Sequence, residues 1–542
     1  MNFKDKVVYQ IYPKSFQDTN GDGWGDIPGI TRRLDYLAEL GVDYLWLTPF
    51  FPSPQRDNGY DVADYRAVDP RFGTMSDLEA LIAAADKKNI GLMFDMVFNH
   101  TSTEHAWFQK ALAGDEKYMA YYIFRDGTPE VPPTNWPSKF GGSAWEYVPK
   151  LGKWYLHLFD VTQADLNWEN PEVREELKDI LRFWKDKGIK GFRFDVVNLI
   201  SKGEYRDDTE GDGRRFYTDG PGVHEFLKEI VHDSGIDGMI TVGEMSSTTL
   251  ENCIRYSNPA EHELSMTFSF HHLKVDYKNG DKWSLMPADL PALKEIFAKW
   301  QEGMEQGGGW NAVFWCNHDQ PRIVSRLGDT GKYWRESAKM LAAAIHFMCG
   351  TPYIYQGEEI GMTNADFTDI KEYRDVESLN YHDILRKSGL TEQETMAVIA
   401  ARSRDNGRTP MQWDSGREAG FTTGTPWLDV NRNHARINVE AERQDEDSVL
   451  AFYKELIALR KKYRLIAEDS IHFLKRENDD VLAYERELDS EKLRVFCNFR
   501  DKQVRLEQPL TAYPAAGWQK LLGNYEGLED ELRPYETVIL KK

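Results

Sequence analysis

Residues 191–198 read G-F-R-F-D-V-V-N, a short apolar run interrupted by one arginine and one aspartate. Its first six residues have the length and composition of a buried strand. The stretch before it is helical in pattern. Asn170-Pro171 offers an N-cap and a first-turn proline, Leu177, Ile180, Leu181 and Trp184 repeat at helical spacing, and Gly188 stands just past the end. A helix that feeds directly into such a strand is one unit of an alternating α/β sheet.

The same alternation extends in both directions. Further strand candidates are 7–12, 44–47, 91–97, 239–244, 266–270, 312–317 and 353–356, which with 191–196 makes eight. Between them, Ile30, Leu34, Leu37 and Leu40 form one apolar stripe stopped by Gly41, and Ser76 with Glu79 reads as a capping box opening a helix that ends near Gly91. Eight strands alternating with helices predict an α/β fold, a (β/α)8 TIM barrel. Two stretches break the rhythm. Residues 101–168, rich in Trp, Tyr, Pro and Gly, are too long for a bare loop and read as an inserted subdomain after strand three. Residues 363–445 are polar and contain R-D-N-G-R-T-P-M-Q-W. From about residue 470 short alternating strands take over. The expected division is a barrel of 1–100 and 169–468, a subdomain of 101–168, and a C-terminal antiparallel β-sandwich of 469–542.

Composition narrows the functional classes. With 67 basic and 89 acidic residues the net charge is −22, which argues against nucleic acid or an anionic membrane surface as partner. No run approaches the roughly 20 apolar residues of a membrane span. Cys253, Cys316, Cys349 and Cys497 lie far apart with no paired spacing, as expected for buried thiols in a reducing compartment. The expectation is a cytoplasmic monomer. Sixteen tryptophans suit either sugar stacking or a large core.

Barrel enzymes gather their chemistry at the C-terminal ends of the strands. Here those ends carry Asp95, Asn99 and His100 in D-M-V-F-N-H, Arg193 and Asp195 in G-F-R-F-D-V-V-N, Glu244 in V-G-E, and His318 and Asp319 in N-H-D. Residues two apart on a strand share a face, so Arg193 and Asp195 point the same way. An arginine beside a carboxylate favours its ionised form, as a nucleophile needs, while a desolvated Glu244 suits a general acid. Two carboxyls in opposed environments are what glycoside cleavage requires, with Asp319 as a third that binds hydroxyls near the developing positive charge. One acidic residue at a strand end is more often a cap or a loop ion pair. Four strand ends bearing this set at once reverse that balance.

These four segments resemble the conserved segments of the α-amylase family, and Q-A-D-L-N-W at 163–168 resembles the added segment of its oligo-1,6-glucosidase branch. The resemblance implies a retaining α-glucosidase with Asp195 as nucleophile, Glu244 as acid/base and Asp319 as transition-state stabiliser. It further implies that His100, Gln163, Arg193 and His318 bind the glucose ring. Asp61 in G-Y-D-V and Arg408 in R-T-P-M-Q-W match the pair that closes the pocket on a terminal glucose in exo-acting members.

The loop D-T-N-G-D-G-W-G-D offers oxygens from Asp18, Asn20, Asp22, Asp26 and the Trp24 carbonyl, like the first half of an EF-hand. Gly29 stands where that motif needs a bidentate glutamate, so a structural Ca²⁺ is expected and not a sensor. Related α-glucosidases carry calcium in this loop. Finally, the wording at 10–18, 211–221, 243–248 and 263–277 resembles trehalose-6-phosphate hydrolases, which implies a small phosphorylated disaccharide as substrate. The nearest alternative is an isomaltose-type oligosaccharide. A near-dianionic phosphate binds best to fixed basic donors, and Arg215, Lys274 and Lys282 are the candidates.

Overall fold

A computed structural model describes residues 3–468, 470–474 and 476–542. Asp469, where the C-terminal domain is expected to start, lies outside the described residues, as do Met1 and Asn2 at the head of the expected barrel. All eight expected strands form: β1 (Val8–Ile11), β2 (Tyr44–Leu47), β3 (Gly91–Met96), β4 (Gly191–Phe194), β5 (Ile240–Met245), β6 (Met266–Ser269), β7 (Ala312–Val313) and β8 (Thr351–Tyr355). With their intervening helices they make the (β/α)8 barrel, to which an antiparallel C-terminal domain is appended.

The chain divides into two compact units, one of Trp46–Ser269 and one joining the N-terminal stretch as far as Leu45 to Phe270–Lys542. In the first, β3, β4, β5 and β6 pair in parallel, in that order. Arg193 stands in register between Asp95 on β3 and Val242 on β5. The helix Pro171–Asp186 starts as the sequence predicts: Asn170 accepts a hydrogen bond from the Glu172 amide, and Pro171 takes the position that needs no N–H. The helix Met75–Asp86 corrects the sequence reading. Its capping box is Thr74 with Asp77, two residues ahead of Ser76 and Glu79, and it stops well short of Gly91. Both pairs fit the spacing, and only backbone conformation chooses between them. The stretch after β3 forms a two-stranded sheet, His100–Ser102 with Gln163–Asp165, and a three-stranded sheet. Trp136, Trp145 and Trp154 pack there with Val196, Leu199 and Tyr217, so these three tryptophans fill a core.

In the second unit β8 pairs in parallel with β1 and with β7. Strand β7 is regular over two residues only, against six expected. The single N-terminal stripe proves to be two helices, Ile27–Arg32 and Leu34–Leu40, parted at Arg33 and ended by Gly41 at φ +94°. Beyond the helix Val449–Lys462, five strands form an antiparallel sheet: His472–Leu474, Val481–Leu488, Glu491–Asn498, Thr537–Lys541 and Gln519–Gly523, in that spatial order. Val504–Arg505 and Glu531–Leu532 pair separately, and Val504 and Leu532 share one core with Val481, Phe496 and Val538. The phenol of Tyr484 donates to the Ala344 carbonyl at 3.0 Å, fastening this sheet to the helix Trp334–His346. Among the described residues no helix is long and apolar enough to cross a membrane.

At the end of that helix His346 is buried with its ring edge-on to Tyr453. Burial and then the nearby Arg460 charge lower it from 6.5 to about 3. Between those values the unfolded chain binds a proton that the folded chain excludes, so stability falls as pH drops through the window. Going from about pH 7 to about pH 5 removes about 2 kcal/mol at this residue. His346→Phe is expected to lessen the loss of thermal midpoint over that range. A variant as acid-sensitive as the parent would contradict the assignment.

Candidate active site

The centre of the first unit is a buried guanidinium. Arg193 Nη1 donates to Oδ1 of Asp95 and to Oδ1 of Asp195, each at 2.6 Å, and Nη2 donates to Oε2 of Glu244. Register explains the arrangement. Asp95 stands beside Arg193 across β3, Asp195 lies two residues further along β4, and Glu244 lies two residues beyond the Val242 that pairs with Arg193. Asp195 and Glu244 therefore share one partner. Trp46 Nε1 and the Tyr60 hydroxyl donate to the other oxygen of Asp95, at 3.1 and 2.9 Å.

The electrostatics depart from the sequence reading in two ways. Burial raises the Asp195 carboxyl and outweighs the lowering by Arg193, while Asp95 raises it further and His100 lowers it. Asp95 is raised by burial in the same manner, against the pull of Arg193. The arginine thus serves three carboxylates and not one. Glu244, expected as a desolvated carboxyl, is in addition an ion-pair partner of Arg193.

His100 and Gln163 meet through the two-stranded sheet that pairs His100–Ser102 with Gln163–Asp165. Asn99 Nδ2 lies 3.2 Å from His100 Nδ1, and His100 Nε2 lies 3.2 Å from both the Tyr60 carbonyl and Gln163 Nε2. Burial lowers the His100 imidazole, against Asp165 and Asp195, which keeps the ring neutral. Gln163 Nε2 donates to Asp57 at 3.1 Å and to the Tyr60 carbonyl at 3.2 Å. Below them the ammonium of Lys202 bridges Asp165 and Asn99, both at 2.8 Å. Asp61 is fully buried and accepts from Ser53 Oγ at 2.8 Å and from the amides of Arg56 and Asp57 at 2.9 and 3.2 Å. Burial raises its carboxyl despite these bonds.

The second unit holds the other group. The short helix Asp405–Arg408 puts Arg404 and Arg408, four apart, on one side. Arg408 Nη2 donates to Asp319 Oδ1 at 2.7 Å and its Nε to the His318 carbonyl at 2.8 Å, with Arg404 Nη1 3.3 Å from the same carboxylate oxygen. Gln10 Nε2 lies 2.8 Å from His318 Nδ1, and His318 Nε2 lies 3.1 Å from Asp319 Oδ2. Burial would raise the Asp319 carboxyl, but His318, Arg404 and Arg408 together hold it well below the usual carboxylate range. Arg408 is thus engaged by Asp319 and, at 3.5 Å, by Asp375. Of these, Arg404 and Asp375 escaped the sequence reading, as did Tyr60 and Trp46 in the first unit. The adjacency of Tyr60 to Asp61 and the four-residue step from Arg404 to Arg408 were the available signals.

The three basic candidates fare differently. Arg215 is held by Asp208 and Glu210, each at 2.7 Å. Lys282 pairs with Glu377 at 2.5 Å, and Glu377 lies 3.5 Å from Arg404, so a chain of charges runs from Lys282 to Asp319. Lys274 is exposed on the turn His271–Lys274 that follows β6.

The Asp18–Asp26 loop is tied by its own side chains. Asp18 accepts from the amides of Asn20, Gly21 and Gly23, Asn20 from that of Asp22, Asp22 from that of Trp24, and Asp26 from those of Thr19 and Gly29. Among the described residues no group of three or more acidic, histidine or cysteine side chains is arranged to hold a metal ion. The donors are nevertheless all oxygen, and Asp26 is raised by burial and by the neighbouring Asp18 charge, a repulsion that a hard cation relieves.

The alpha amylase catalytic domain matches residues 10–469, and the maltogenic amylase C-terminal domain matches 471–539. The chain is 54% identical to the trehalose-6-phosphate hydrolase of Bacillus subtilis (strain 168), covering 99% of this chain and 98% of that one. It is 48% identical, over the same shares, to the probable oligo-1,6-glucosidase 2 of that strain. The crystal structure of Bacillus licheniformis trehalose-6-phosphate hydrolase superposes with a TM-score of 0.95 at 52% identity, covering 99% of each chain. With a catalytic-domain match over most of its length and relatives this similar from end to end, the chain belongs to the alpha-amylase family of glycoside hydrolases.

Proposed function

We propose that the chain is a retaining, exo-acting α-glucosidase that hydrolyses trehalose 6-phosphate to glucose and glucose 6-phosphate. The observation that carries the chemistry is the single guanidinium shared by Asp195 and Glu244. Two carboxylates on one guanidinium are kept close, which suits the about 5–5.5 Å spacing of retaining enzymes better than the about 6.5–9.5 Å of inverting ones. The substrate follows from the end-to-end similarity to trehalose-6-phosphate hydrolases.

In this reading Asp195 attacks the anomeric carbon while Glu244 gives its proton to the departing glycosidic oxygen. Three carboxylates about one cation favour holding one proton among them, and the acid role assigns it to Glu244. The glucosyl ester on Asp195 is then opened by water, whose proton returns to Glu244. Asp319, kept anionic by its arginines, binds hydroxyls of the ring as positive charge develops. His100, Gln163, Arg193 and His318 orient that ring, and Asp61 and Arg408 limit the pocket to one terminal glucose. Lys282 and Lys274 meet the phosphate. Arg215, already held by two acidic partners, is the weakest of the three candidates.

Asp18, Asn20, Asp22, the Trp24 carbonyl and Asp26 would hold calcium, which supplies loop rigidity and no chemistry. Four buried cysteines with no disulfide among them support a reducing, cytoplasmic setting.

Glu244→Gln is expected to lower kcat/KM on trehalose 6-phosphate by roughly 10³-fold, with the thermal midpoint held within about 2 °C. Full activity in that variant, or faster turnover of isomaltose than of trehalose 6-phosphate by the parent, would overturn the reading; the second result favours the oligo-1,6-glucosidase alternative. Lys282→Met is expected to cost about 10- to 100-fold in kcat/KM on the phosphorylated sugar and under about threefold on trehalose. An equal loss on both sugars removes Lys282 from the phosphate site. Chelation by EDTA is expected to lower the thermal midpoint by roughly 5 °C, with calcium restoring it. A midpoint indifferent to both assigns the loop no metal.

A further inference from the structure

The pairing of β4 with β5 ends at Phe194 with Gly243, and the next residue on each strand is Asp195 and Glu244. The ladder between these two strands therefore stops one residue short of both carboxylates. Just past it the backbone is strained. Val196, directly after Asp195, has φ +36°, and Ser247, three residues after Glu244, has φ +57°. A β-branched residue takes the left-handed conformation only when its surroundings impose it.

Those surroundings centre on Asn198, fully buried in the turn Val197–Leu199. Its Oδ1 accepts from the Ser246 amide at 2.8 Å and its Nδ2 donates to the Ser246 carbonyl at 2.9 Å. The side-chain amide thus pairs with the backbone beyond Glu244 as a strand neighbour would. Asn198 is held in turn by Asp219, itself at φ +51°. The Asp219 amide donates to the Asn198 carbonyl at 2.8 Å, and Asp219 Oδ1 accepts from Asn198 Nδ2 at 3.1 Å. The same carboxylate accepts from the Tyr256 hydroxyl at 2.7 Å, Thr248 Oγ1 at 3.0 Å and Asn252 Nδ2 at 2.8 Å. One donor comes from the segment after Asp195 and three from the segment after Glu244.

We propose that Asn198 and Asp219 form a clamp that continues the register of β4 and β5 past the end of their ladder and fixes Glu244 against Asp195. They are positioning residues for the proton-transfer step. The inference rests on the roles given to Asp195 and Glu244 above.

The experiment compares trehalose 6-phosphate, whose sugar leaving group needs a proton, with 4-nitrophenyl α-glucoside, whose phenolate departs without one. Asn198→Ala and Asp219→Asn are expected to lower kcat/KM about 100-fold on the former and less than about fivefold on the latter. Azide, which attacks the glucosyl ester without a base, is expected to restore kcat on the nitrophenyl substrate. Thr248→Val removes one of the four donors at little change in volume and is expected to show the same pattern at about fivefold; it decides the matter if the other variants do not fold. Equal losses on both substrates, or no rescue by azide, would overturn the clamp. Activity of the parent on both substrates, measured first, tests the roles of Asp195 and Glu244 separately.

Discussion

The buried Arg193 guanidinium is the constraint from which the rest of the site follows. A charge taken out of water is costly unless its partners are fixed around it. Here three carboxylates meet one cation, with Trp46 and Tyr60 donating to the deepest of them. The count leaves excess negative charge in a dry setting, and burial raises Asp95 and Asp195 in consequence. A lysine would not do the same work. Its point charge lacks two separate NH₂ groups on a rigid plane, one shared by Asp95 and Asp195 and the other for Glu244. Asp95 has no need to touch substrate in this scheme. It anchors the arginine, and the arginine places the two groups proposed to react.

Asp319 shows the inverse balance. One carboxylate meets His318, Arg404 and Arg408, and it is held well below the usual range despite its burial. The chain has thus built two acidic environments from the same few residue types, changing only the ratio of anions to cations. Where carboxylates are in excess, a proton can be kept and passed. Where cations are in excess, the anion persists through the reaction. Glycoside cleavage needs both, because a proton must move while a positive charge grows on the sugar.

Much of this was legible in the sequence, and the failures have physical causes. The strands were readable because buried parallel strands are short apolar runs, and the candidate groups because they close those runs. The capping box was misplaced by two residues because Thr74–Asp77 and Ser76–Glu79 satisfy the same pattern. The break at Arg33 was missed because Ile30, Leu34, Leu37 and Leu40 keep helical spacing across it. Strand β7 ended early because Phe314, Trp315 and Cys316 are apolar and buried without joining the ladder. Asp375 sits in a polar stretch with no period to betray it, and Arg404 was signalled only by its four-residue step to Arg408; the importance of both lies in what they approach. The lowering expected of Asp195 failed because burial outweighs the Arg193 charge, and linear spacing shows neither that depth nor the neighbouring Asp95.

That last failure points to a general feature of barrel sites. Hydrogen-bonded ladders position backbone atoms only as far as they run, and the β4–β5 ladder stops one residue short of Asp195 and Glu244, although Glu244 is still paired with Phe268 on β6. Precision there has to come from side chains that imitate a strand, such as the amide of Asn198 against Ser246, and from apolar packing such as that of Val196 and Leu199 against Trp136 and Trp145. Loops after the strands therefore carry two loads at once. They hold the reacting groups to the tolerance that chemistry demands, and they vary to select a substrate. In this chain the first load falls on Asn198 and Asp219, beside the carboxylates. A loop set that gives this load to a few fixed side chains leaves its other residues free to vary.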